Sequence, residues 1–165
     1  MALNNLIEDY PDNMFFLKDR KIFQINETLA PFYKSQIEQI GAAKIIILVD
    51  KVDHRLTSPN NKELLNKMKK AIESVGGEPN VIEIDPEKKI DWVQLKNELK
   101  AKCYILFGLS FEDLSIQANS FANSVIPFDS SYFLITNKLS DFHTKPDLKN
   151  VLWKKMKKMI EISKQ

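Results

Sequence analysis

Cysteine occurs once, at Cys103, so no internal disulfide can brace the fold, and such a chain suits a reducing compartment. Glycine is almost as sparse. Gly41 and Gly108 stand alone and Gly76-Gly77 follows a helix pattern, so no glycine cluster is placed to cradle a phosphate. Histidine is confined to His54 and His143. Neither Gly-x-Ser-x-Gly nor His-Glu-x-x-His occurs, which removes two common hydrolase signatures. No apolar run approaches the ~18 residues of a membrane span. Residues 1–9 have neither a basic region nor a long apolar stretch, so no signal peptide is expected. A net charge of +2 does not by itself indicate nucleic-acid binding. Together these absences lead to the expectation of a cytoplasmic protein with no cofactor, no metal and no membrane association.

What is present is an ordinary globular composition, 44% hydrophobic and 28% charged over 165 residues. A chain of that length buries about 70% of its unfolded surface as one domain. Its organising stretch is Lys44 to Asp50. Ile45, Ile46, Ile47, Leu48 and Val49 do not alternate with polar residues, so both faces of this strand should be covered, as in a sheet lying between two helix layers. Downstream, Ser58 and Pro59 open a helix pattern after a polar loop, with Leu64, Leu65, Met68, Ala71, Ile72 and Val75 at helical spacing and Gly76-Gly77 as its stop. A strand over residues 81–84 then implies a parallel crossover. Asp91 caps a further helix bearing Trp92, Leu95 and Leu99, and residues 103–107 form a third core strand. Short strands are expected near Val125-Ile126 and over residues 132–135, in directions the sequence does not give. A final helix, capped by Thr144 and with Pro146 in its first turn, carries the stripe Leu148, Val151, Leu152, Met156, Met159 and Ile160, with Trp153 at its edge.

Residues 1–30 read as an N-terminal arm or edge hairpin, and residues 31–165 as a single α/β/α domain. In the arm, Met14, Phe15, Phe16 and Leu17 with Ile22 and Phe23 make an aromatic cluster. It is either packed on the body or exposed as an attachment surface. A helix over residues 31–40 should bury Ile37 and Ile40 and end at Gly41.

The search for chemistry turns first to the carboxyl end of the central strand, where open α/β sheets place ligands. Asp50, Asp53 and His54 lie there, and two carboxylates with one histidine could hold a metal or activate a water. The same composition also makes a solvated loop, and no second histidine or cysteine is spaced to join it. Cys103, inside an apolar strand, reads as a core thiol. After Leu139 seven lysines face Asp141, Asp147 and Glu161, either as a solvated helix face or as a basic patch.

Leu139-Ser140-Asp141-Phe142, followed by Pro146, Lys149 and Leu152-Trp153, resembles the C-terminal signature of the psi subunit of bacterial DNA polymerase III. The strand ending in Asp50, the helix after a proline-containing loop, and the second strand followed by Pro86-Glu87-Lys88 fall in the matching order. The resemblance implies an α/β/α fold with a small, mostly parallel central sheet, shaped like uracil-DNA glycosylases without their catalytic residues. It also implies a non-enzymatic accessory subunit that attaches to clamp-loader subunits through its N-terminal segment and binds a chi-like subunit, with any DNA contact indirect or weak. The N-terminus departs from the family's pattern of Trp, Leu-Arg and Pro, since no Trp precedes Trp92. A glycosylase-shaped nucleic-acid enzyme and a small-molecule-binding domain stand as rival readings.

Overall fold

A computed structural model describes residues 29–165 except Thr57 and Lys89; for His54, Arg55, Leu56 and Ser58 it describes only the backbone. The chain begins with α1 (Pro31–Ile40), then β1 (Ile45–Asp50), α2 (Lys51–Leu56), α3 (Ser58–Ser74) and β2 (Pro79–Ile84). There follow α4 (Trp92–Glu98), β3 (Cys103–Phe107) and a 3-10 turn at Glu112–Leu114. The hairpin of β4 (Ser124–Phe128) and β5 (Ser131–Thr136), the one-turn α5 (Asp141–Thr144) and α6 (Asp147–Ser163) complete it.

The five strands form one sheet in the order β2-β1-β3-β5-β4, parallel except for β4, which pairs antiparallel to β5. The unbroken apolar run of β1 is explained by its place between β2 and β3. All five residues from Ile45 to Val49 are buried, and alternate ones enter two separate clusters. On one face Ile46 and Leu48 meet Tyr33 and Ile40 of α1, Trp92 and Leu95 of α4, and Leu114. On the other, Ile45, Ile47 and Val49 meet Leu65, Met68 and Ile72 of α3, Phe142 of α5, and Leu152, Met156, Met159 and Ile160 of α6. The protein is thus mixed α/β, with helices on both sides of a mostly parallel sheet. Among the described residues no helix is long and apolar enough to cross a membrane.

Local chemistry accounts for the breaks. Gly76 adopts φ 80°, and the amides of Gly77 and Gly76 return to the carbonyls of Ile72 and Glu73 at 3.0 Å each, closing α3 in a Schellman motif. The Asp91 carboxylate accepts a hydrogen bond from the Val93 amide at 2.7 Å, as the capping reading requires. Asp129 and Ser130 take φ 48° and 63° between Phe128 and Ser131, the two-residue turn that right-twisted hairpins favour, although neither residue is glycine. The Asp129 carboxylate is held by Trp92 Nε1 at 2.9 Å and Lys96 Nζ at 2.8 Å. That link helps fix the unusual turn against α4.

Three expectations are corrected. The stretch after β1 is the helix α2 rather than a polar loop, because the Asp50 carboxylate accepts the Val52 amide at 2.8 Å and so caps its start. Thr144 does not cap α6: its hydroxyl donates back to the carbonyl of Asp141, the first residue of α5, and Pro146 occupies the capping position. Val151 is 40% exposed, because it lies beyond the part of the α6 stripe that the sheet covers.

Among the described residues one buried side-chain polar atom has no partner. Tyr104, fully buried and in contact with Trp92 and Phe133 at ring-centroid distances of 4.9 and 5.2 Å, presents a hydroxyl with no hydrogen bond. Burial pushes that hydroxyl well above the ordinary tyrosine range. Tyr104→Phe removes the unpaired group while keeping the ring, and should raise stability by about 1 kcal/mol in urea unfolding.

Candidate functional site

The carboxyl ends of β1, β2 and β3 meet where the chain, having moved from β1 to β2 on one side, crosses back to β3 on the other. Such a reversal leaves a crevice in parallel sheets. Here a cavity of about 340 Å³ opens there, lined by Asp50, Asp85, Lys88, Gly108, Glu112 and Asp113 among others. Gly108 has φ 66°, and a Cβ at that position would lie 2.7 Å from Lys138 Cγ, so the close approach of the loop after β3 depends on glycine.

Several charges at this rim are engaged by named partners. Asp85 is 6% exposed and its carboxylate meets Lys51 Nζ at 2.6 Å and Lys88 Nζ at 3.6 Å, while accepting the Glu87 amide at 3.1 Å. The Lys51 ammonium beside it, ahead of that backbone bond, holds its carboxyl below the usual aspartate range. Lys51 and Lys88 also flank the Phe32 ring, at 4.8 and 4.4 Å from its centroid. Tyr33 completes the arrangement: its hydroxyl donates to the Lys88 carbonyl at 2.7 Å and accepts the Asp85 amide at 3.1 Å. This knot ties α1 to the end of β2. Asp113 similarly accepts the Ser110 amide at 2.7 Å and hydroxyl at 3.1 Å.

Of the three residues singled out past β1, the two carboxylates take different partners. Asp50 is half-buried, lines the cavity and caps α2. Asp53 is buried and turns to the C-terminal segment, where Ser140 Oγ donates to its Oδ1 at 2.5 Å. The Asp53 carbonyl receives Asn61 Nδ2 at 3.1 Å, and Asn61 Oδ1 lies 2.7 Å from His143 Nε2. The His54 side chain lies outside the described residues. Among those described, no three potential metal-donor side chains come together. Cys103 is buried and burial raises its thiol above the ordinary range, consistent with a core residue.

Residues 139–153 are built as one unit on this rim. Leu139, Phe142 and Leu152 are buried, with Phe142 edge-on to Phe107 at 5.7 Å between centroids. Asp141 is half-buried, and Pro146 and Lys149 are exposed. Trp153 is half-buried, with Lys157 Nζ 5.1 Å from its ring centroid. The aromatic cluster Met14, Phe15, Phe16, Leu17, Ile22 and Phe23 lies outside the described residues. Sequence reasoning missed the knot of Phe32, Tyr33, Lys51 and Asp85, and also the fully buried Asn61. A signal for the first was available: Asp85 ends an apolar strand as Asp50 does, directly before Pro86.

Two outcomes follow from these contacts. Ser140→Ala leaves a buried carboxylate short of a donor and should cost about 1–3 kcal/mol in chemical unfolding. For Asp85 the folded-state carboxyl is lowered, so its contribution is present above the ordinary aspartate value of about 4 and is lost as pH falls through and below it. Asp85→Asn should therefore be less stable at neutral pH and lose less stability on acidification, read from unfolding midpoints across that window. No protein-family model, curated protein or solved structure matches this chain.

Proposed function

We propose that the protein is a non-catalytic, psi-like accessory subunit of the clamp loader in a bacterial DNA polymerase III holoenzyme, an adaptor in DNA replication. The observation that carries this reading is the build of residues 139–153. The residues that resemble the psi signature fold into one segment whose apolar members are buried and whose Ser140 fastens it to Asp53. The arrangement of helices on both sides of a mostly parallel sheet suits the glycosylase-like shape that the resemblance implies. The engagement of Asp50, Asp53 and Asp85 in capping, hydrogen bonding and ion pairing supports a structural use of the rim. An adaptor of this kind acts by raising the effective concentration of its partners for each other, which requires surfaces and not a reactive group.

In this reading Met14, Phe15, Phe16, Leu17, Ile22 and Phe23 supply the attachment to clamp-loader subunits, and a chi-like subunit is a further partner. Affinity-tagged protein expressed in its native host should copurify clamp-loader subunits. Phe15→Ala with Phe16→Ala should abolish that copurification while leaving the circular dichroism spectrum unchanged. Undiminished recovery by the double variant refutes the placement; failure of the unaltered protein to recover any clamp-loader subunit refutes the reading. Turnover of uracil-containing single strands by the purified protein would favour a glycosylase-shaped enzyme instead.

A further inference from the structure

The outer edge of the sheet carries a second depression, remote from the strand-end rim. Between β4 and α6 lies a groove of about 320 Å³, walled by Val125, Pro127 and Tyr132 from the hairpin and by Lys155, Lys158 and Ile162 from the helix. In α6, Val151, Lys155, Lys158 and Ile162 are spaced four, seven and eleven residues from the first, so they share one face of the helix. At 1.5 Å per residue that face runs about 16 Å. Val151, the one residue of the expected core stripe left exposed, extends the apolar wall beyond the groove.

The lysines set the chemistry. Lys44, Lys51, Lys67, Lys88 and Lys96 each pair with a carboxylate. Among the described residues Lys155 and Lys158 have no ion-pair partner, although Lys155 is half-buried beside aliphatic side chains. Two ammonium groups with no carboxylate partner at an apolar groove make its charge complementary to an anionic ligand.

We infer that this groove docks an extended, acidic and aliphatic peptide segment of a partner protein. About five residues of extended chain span 16 Å, and their alternate side chains point to opposite sides. One set can enter the apolar wall while the other brings carboxylates to Lys155 and Lys158. A nucleic-acid strand suits the groove less well, because its walls are mainly apolar and Tyr132 is the one aromatic ring among their residues, whereas strand binding draws on several stacking rings. Pro127 removes an amide from the edge strand, so recognition proceeds through side chains and not by adding a strand to β4. The inference stands apart from the identity proposed above and does not need the clamp loader to be the partner.

The test is a selection of random hexapeptides displayed on phage against the immobilised full chain, with enriched peptides synthesised and their affinities measured by fluorescence anisotropy. The enriched sequences should combine Asp or Glu with Val, Ile, Leu or Phe. Their binding should weaken about tenfold or more in Lys155→Glu with Lys158→Glu, and in Val151→Asp, with unfolding midpoints unchanged. Enrichment of neutral or basic sequences, no enrichment, or binding that survives the charge reversal overturns the assignment. So does capture of labelled oligothymidine by the same two lysines that the acidic peptides fail to displace. Acidic peptides that bind only a Glu8→Lys, Asp9→Lys variant would identify the chain's own residues 6–12 as the occupant and overturn a partner's role.

Discussion

Burial of β1 on both faces is the constraint from which the rest of the architecture follows. Five consecutive aliphatic side chains cannot be hidden by one layer, so alternate residues must each find a helix, and helices must flank the sheet on both sides. Each fully buried Ile or Val contributes about 1.5–3 kcal/mol, which makes the strand a large source of cohesion. The strand can stop abruptly at Asp50 because the carboxylate there accepts the Val52 amide in the first turn of α2, turning the end of a buried run into the start of a helix.

The polar residues beyond the strand ends then act as fasteners. Asp85 can be buried because Lys51 neutralises it and because Phe32 and Tyr33 of α1 close over the pair. Asp53 joins the helix after β1 to Ser140, so the C-terminal segment is secured to the rim from which sequence reasoning sought chemistry. A carboxylate engaged in this way orders neighbouring elements, and the crevice at the strand ends is correspondingly a seam between α1, β2 and the loop after β3. On the lysine-bearing face of α6 beside the edge strand, Lys155 and Lys158 have no ion-pair partner among the described residues. That distribution suits a molecule that works through contacts with other macromolecules, as the psi-like proposal holds.

The hairpin at the far edge shows the same economy of local and distant terms. Its two-residue turn uses Asp129 and Ser130 in a backbone conformation that glycine or asparagine adopts more readily. The conformation is maintained by contacts from another layer, the Lys96 ammonium and the Trp92 indole, which also, in that order, hold the Asp129 carboxyl below its ordinary range. Tyr104, stacked nearby, is the opposite case: a ring well used for packing with a hydroxyl left unpaired.

Local pattern alone was enough to determine β1, β3, the long helices and the stop of α3, because an unbroken aliphatic run, a helical apolar stripe, a Gly-Gly stop and an Asp cap each act over a few neighbouring residues. The expected helix over residues 31–40, the capping role of Asp91 and the Schellman close of α3 were legible for that reason. Tertiary structure decided the antiparallel direction of β4, the exposure of Val151 and the different partners of Asp50 and Asp53. It also decided the pairing of Lys51 with Asp85 across 34 positions and of Ser140 with Asp53 across 87. Those outcomes depend on which surfaces the completed sheet brings together, and contacts so distant along the chain leave no periodic trace in it.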